Sequence, residues 1–124
     1  MEGFLERPAG RTWYRVTGAG GRTPLLCLHG GPGSTHSYFR PLERLAEERQ
    51  VVLYDQLGCG RSDRPELEWS LAVFTEELEA LRAHLGLDRI HLLGTSWGGM
   101  LALEHALAHP GSVAGLILGP ALAS

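Results

Sequence analysis

Four short, almost wholly apolar runs recur along this chain: Pro24 to His29, Gln50 to Tyr54, Ile90 to Leu93 and Val113 to Leu118. Runs of this length, bounded by turn residues, read as strands buried on both faces. Segments of helical spacing separate them. Phe39, Leu42, Leu45 and Ala46 recur at that spacing between the first two runs. Leu71, Phe74, Leu78, Leu81 and Leu85 then make one apolar stripe, with Ser70 as N-cap and Gly86 as the stop. A further helix is predicted from Trp97 to Ala108, ended by Pro110. Strands alternating with helices in this way make βαβ units and a parallel sheet. Ahead of them, Phe4 to Val16 alternate loosely and read as one or two antiparallel strands turning at Pro8-Ala9-Gly10, with a second turn at Gly18–Gly21. No repeat, low-complexity tract or linker interrupts the pattern, so residues 1–124 are expected to form one α/β domain of six strands.

Composition narrows the function. The net charge of −3 offers no basic surplus to neutralise phosphates, which argues against a nucleic-acid partner. All eleven basic residues are arginine, so a phosphate-binding P-loop lysine and a Schiff-base lysine are both excluded. Cys27 sits in an apolar run and Cys59 between two glycines; two cysteines give neither a disulfide framework nor zinc spacing, and a reduced, cytoplasmic setting is expected. The first residues contain no apolar signal region, and no run approaches the roughly 18 apolar residues of a membrane span.

In open parallel sheets, ligands bind at the carboxyl ends of the strands. Three glycine-containing loops fall at such ends. The most telling is Gly94-Thr95-Ser96-Trp97-Gly98, between a strand and a helix. A Gly-x-Ser-x-Gly there forces a sharp turn that lifts the serine oxygen above the sheet, at the amide end of the following helix. Ser96 is therefore the candidate nucleophile. A tetrahedral intermediate needs two backbone donors for its oxyanion. Trp97 supplies one, and Gly31 in His29-Gly30-Gly31-Pro32-Gly33 is the candidate for the other. A phosphate-cradling reading of this glycine loop is disfavoured, because no Gly-Lys-Ser follows it. In the third loop, Asp55 to Asp63, a structural role for Asp55 with Arg61 pinning the loop is preferred over a catalytic acid, and no base is assigned near Cys59.

Together, the His-Gly-Gly-Pro-Gly loop, the stretch Tyr54-Asp55-Gln56-Leu57-Gly58-Cys59-Gly60-Arg61-Ser62 and the Gly94–Gly99 elbow resemble, in order and spacing, the proline iminopeptidase branch of the α/β-hydrolases. The resemblance covers nearly the whole chain. It implies that Ser96 is the nucleophile, that Gly31 and Trp97 are the oxyanion donors, that no metal or organic cofactor takes part, and that the substrate is a short peptide or amide losing an N-terminal proline or small residue.

The resemblance also implies a serine–acid–histidine order along the chain. After Ser96 only Glu104, His105 and His109 are candidates, and His105 lies roughly 13 Å further along the same helix. A general base must come within about 3 Å, so none can serve. His29 precedes the serine and is expected to make a structural hydrogen bond. Family members continue with a helical cap and the strands carrying the acid and histidine. The chain thus reads as the N-terminal part of a hydrolase, truncated before the cap and inactive alone. An esterase or lactonase, or a non-catalytic remnant or binding module, are the alternatives. The strand Val113–Leu118 would then be an apolar edge open to self-association.

Overall fold

The first apolar run lies at the centre of the protein. The computed structural model describes residues 1–31 and 34–119. Within it the run forms β3 (Arg22–Leu28), flanked by two parallel neighbours, β4 (Arg49–Tyr54) and β5 (Ile90–Gly94). An antiparallel hairpin, β1 (Glu2–Arg7) and β2 (Gly10–Thr17), extends the sheet beyond β4, and β6 (Val113–Leu118) lies parallel to β5 at the other side. The six-stranded order is β1-β2-β4-β3-β5-β6.

The period of two along each strand sorts side chains into two cores. Leu26 and Leu28 face one side with Val52, Tyr54 and Leu92, and are covered by α1 (Leu71–His84) and α2 (Trp97–Ala108) through Leu78, Leu81 and Leu101. Leu25 and Cys27 face the other side with Val51 and Leu53, covered by Phe39, Leu42 and Ala46. Burial there pushes the Cys27 thiol up to about 12. The double-sided burial expected for β3 and β4 is present.

Two local readings change, and one irregularity in β3 is added. The segment His36–Glu47 is a 3₁₀ helix rather than an α-helix. Pro41 lies inside it and has no N–H to donate, while the Thr35 hydroxyl caps its start by accepting from the Ser37 amide. Ser70 stands at the N-cap position of α1, yet its hydroxyl makes no capping bond. In β3 the register with β4 shifts between Arg22 and Leu25, across Pro24, which cannot donate to the ladder.

Strand β6 lies at the edge of the sheet, as expected for Val113–Leu118, although its run reads like that of a buried strand. It is not buried on both faces: Ile117 and Leu118 are 52% and 51% exposed. Met100, Leu103 and Leu107, on the helix α2 packed beside it, are exposed as well. Among the described residues no strand pairs with the outer side of β6. An apolar sheet edge with unpaired backbone groups is a template for association. We propose that the isolated chain self-associates through residues 113–118. Light scattering should report a mass that rises with concentration and falls when Ile117→Lys charges the edge. A monodisperse monomer would sink the idea. A strand without its outer partners also leads to the expectation of disorder near Ala121–Ser124, which lies outside the described residues.

Candidate active site

The elbow forms at the junction of β5 and α2. Ser96 has φ 56° and ψ −121°, and it is the one non-glycine residue with positive φ among those described. Such backbone costs on the order of 1–3 kcal/mol and persists only where its surroundings enforce it. Gly98 supplies part of that enforcement. A Cβ at this position would overlap the carbonyl oxygens of both Leu28 and His29, so the first turn of α2 presses directly on the end of β3. Ser96 itself is exposed, and among the described residues its hydroxyl has no hydrogen bond. It sits at the amide end of α2, where the helix dipole favours developing negative charge.

The loop after β3 packs against this elbow. A Cβ added to Gly30 would lie 3.7 Å from that of Ser96, and one added to Gly31 would lie 3.4 Å from that of Trp97. Gly30, Gly31, Ser96 and Trp97 are therefore brought together at one end of the sheet. Pro32 and Gly33 lie outside the described residues. His29 is buried beneath the loop. Its Nδ1 donates to the Gly30 carbonyl at 2.8 Å, and its Nε2 accepts from the Gln56 amide at 3.0 Å. Those partners fix the neutral tautomer, and burial lowers the pKa of the ring. With both nitrogens engaged, His29 holds the scaffold, as expected from its position in the loop.

The third loop contributes a residue that the sequence reading did not single out. The Gln56 side chain donates from Nε2 to the His29 carbonyl at 2.9 Å, and its Oε1 accepts from the Trp97 indole at 3.0 Å. One amide thus ties the β3 loop to the first residue of α2, the two elements that flank Ser96. Its neighbour Asp55 is wholly buried and structural, though not through the Arg61 side chain. Its Oδ1 accepts from the His36 amide and Nδ1 at 2.8 and 2.9 Å, and its Oδ2 accepts from the Arg61 amide at 3.0 Å. The Arg61 guanidinium instead reaches Glu2 and lies 4.9 Å from the centre of the Trp13 ring. Gly60, at φ 49°, is required here, since a Cβ would overlap the Asp55 carboxylate.

A cavity of about 450 Å³ opens between these loops, lined by Gly30, Gly31, Gln56 and Leu57 on one side and by Trp69, Phe74 and Trp97 on the other, with Gly58 and Cys59. Phe74 stacks on Trp69 and meets Trp97 edge-on, so the wall is aromatic and preorganised. Glu104, His105 and His109 are placed elsewhere, on the later turns and cap of α2. The one group of three side chains suited to a metal among the described residues is also there, Glu79 with His105 and His109, and not beside Ser96.

Comparison with known proteins agrees with this geometry. Residues 23–120 match the alpha/beta hydrolase fold family. A proline iminopeptidase of Clostridium botulinum is 49% identical over 128 aligned residues, which cover 98% of this chain and 43% of that protein. The crystal structure of a proline iminopeptidase from Mycobacterium smegmatis superposes with a TM-score of 0.85 at 36% identity, covering 94% of this chain and 42% of that one. A bacterial membrane phospholipase A superposes with a TM-score of 0.86 at 29% identity, covering 95% and 38%. The chain thus spans less than half the length of these relatives.

Proposed function

Because the chain belongs to the alpha/beta hydrolase fold family, we propose that it carries the nucleophile and oxyanion-binding parts of a serine hydrolase of the proline iminopeptidase type. The observation that carries this reading is the left-handed backbone of Ser96 at the β5–α2 junction, with Gly30 and Gly31 packed against it. In this reading Ser96 Oγ attacks the carbonyl carbon of an N-terminal prolyl residue. The amides of Trp97 and Gly31 stabilise the oxyanion as the tetrahedral intermediate forms. The C–N bond then breaks, the departing amine takes a proton, and water releases the acyl group from the serine. The aromatic cavity beside the elbow suits a small apolar residue, with Gln56 holding its two walls in register.

The histidine and acid of the triad are assigned to sequence beyond this chain. His29, His36 and His84 are engaged with Gln56, Asp55 and Tyr14, His91 packs over Gly115 of β6, and His105 and His109 lie far along α2. Without a base a serine hydroxyl is a weak nucleophile, so the chain alone hydrolyses proline-naphthylamide and p-nitrophenyl acetate only at background. Among the described residues no helix is long and apolar enough to cross a membrane. On the same reading the setting is reducing and cytoplasmic, which is supported by Cys27 standing outside any disulfide.

A second reading, an esterase, is favoured by the phospholipase likeness and by the apolar lining of the cavity, which would also take an acyl chain. The test is to join the chain to the remaining part of its Clostridium botulinum relative. Release of proline from proline-naphthylamide, blocked by serine-directed reagents and indifferent to chelators, is expected. Strong ester hydrolysis without aminopeptidase activity would transfer the assignment to the esterase.

A further inference from the structure

The end of α2 remote from Ser96 gathers three metal-ligating side chains. His105 lies in the last turn and His109 at the C-cap, a spacing of i and i+4 that places both on one face of the helix. Glu79 reaches the same place from α1. One ligand atom from each falls within 4.8 Å of the others. Glu79 Oε1 lies 3.7 Å from His105 Nε2, and the two imidazole rings are 4.9 Å apart with a 32° tilt. On its outer side the cluster meets an open cavity of about 290 Å³ lined by Arg82, Asp88, His109, Gly111 and Ser112.

We propose that Glu79, His105 and His109 form a site for a divalent transition-metal ion of the zinc class. The donor set is the borderline mixture of imidazole and carboxylate that such ions prefer, and three protein ligands leave a fourth position for water from the cavity. Bonds of roughly 2.0–2.1 Å bring ligand atoms to about 3.5 Å apart. Glu79 and His105 are already 3.7 Å apart and held by Arg82 and by burial, so rotation of His109 closes the remaining gap.

Three further features favour a cation here. His105 is fully buried, and Nε2, the nitrogen that faces Glu79, makes only a long 3.3 Å contact with the Ser112 hydroxyl. A metal at Nε2 would displace that contact alone, because the Ser112 hydroxyl also donates to the His109 carbonyl at 2.9 Å. The site also adjoins the C-terminus of α2, the negative end of the helix dipole. Lastly, the Glu79 carboxylate is already oriented, because Arg82 donates to Oε1 at 2.8 Å and to Oε2 at 2.6 Å. A carboxylate has lone pairs enough to bind a metal as well, and hydrogen-bonded ligands of this kind are the usual outer shell of a metal site. The positive charge of Arg82 opposes the ion and Asp88 partly balances it, which sets the affinity below that of a closed structural zinc site.

The test uses the chain itself and is independent of the hydrolase reading. After stripping with EDTA and dialysis, calorimetric titration with Zn²⁺ should show one equivalent bound. Co²⁺ should give the visible absorption of a tetrahedral complex, whereas Mg²⁺ should give no heat. His109→Ala and Glu79→Gln should each weaken Zn²⁺ binding tenfold or more, and His84→Ala should leave it unchanged. If Glu79→Gln unfolds because the Arg82 pair is lost, His109→Ala decides alone. No saturable one-equivalent binding, or undiminished binding by His109→Ala, would overturn the assignment.

Discussion

In the chain completed with a downstream half, Ser96→Ala should lower turnover of proline-naphthylamide on the order of 10⁴-fold or more, with KM little changed. The substitution removes one oxygen. Alanine keeps the Cβ, so the left-handed backbone carries the same strain before and after. The lost hydroxyl has no hydrogen bond among the described residues, so its removal leaves no orphaned partner. The cavity walls, and with them ground-state binding, stay in place. A fall in kcat with an unchanged melting temperature is thus the expected pattern. On the proposed reading, in which the base lies outside this chain, the same substitution should change nothing measurable in the isolated chain. A completed enzyme that keeps a tenth of its turnover as Ser96→Ala would remove Ser96 from the chemistry, and His29 and Cys59 would need re-examination.

What the sequence revealed of this site follows from how local each determinant is. The elbow was legible because a strand, a Gly-x-Ser-x-Gly and a helix are contiguous, and the β3 loop because its glycines adjoin an apolar run. Strands β3 and β4 were legible because burial on both faces leaves few polar residues in the run, and β5 because its short run is apolar apart from His91, although its second face is only half-buried. The Gln56 bridge was not legible, since its partners His29 and Trp97 are distant in sequence and meet only when β3, β4 and β5 align. The edge position of β6 was expected from the resemblance and not from its residues, because its run is as apolar as the others; the sheet order and the exposure of Ile117 and Leu118 agree with that expectation. The 3₁₀ conformation of His36–Glu47 was hidden behind a helical spacing that Pro41 modifies. The Glu79–His105–His109 cluster joins two helices whose packing no local pattern encodes.

Glu77 shows the same limit and leads to a measurable consequence. It lies on the apolar stripe of α1, between Phe74 and Leu81, and it is fully buried. Its Oε2 accepts from the Thr12 hydroxyl at 2.5 Å and from the Leu57 amide at 3.0 Å, so it pins β2 and the cavity loop to the helix. Burial dominates over these bonds and raises its pKa from 4.5 to about 7. The folded chain therefore holds a proton that the unfolded chain releases. The stability due to this group is complete below about pH 4.5, is lost as pH rises towards 7, and is level above that. The difference, at 1.36 kcal/mol per pKa unit, is about 3 kcal/mol. His105 has the opposite sign, because burial lowers its pKa to about 4, so its contribution grows with pH from about 4 to its unfolded value of 6.5. His29, also lowered by burial, adds to that rise. Parent stability over this window is therefore the net of opposing slopes, a fall from Glu77 and rises from His105 and His29. Glu77→Gln removes only the falling part, so the variant should gain on the parent by about 3 kcal/mol between pH 4 and pH 8. Urea unfolding in EDTA at each pH measures this. The amide nitrogen that replaces Glu77 Oε1 finds no partner in its place and shifts the whole variant curve down, but it does not titrate. The slope of the difference is accordingly the decisive quantity. A difference that stays constant with pH would mean that Glu77 is ionised in the folded chain, with its charge held by Arg7, the cation whose field already acts on it.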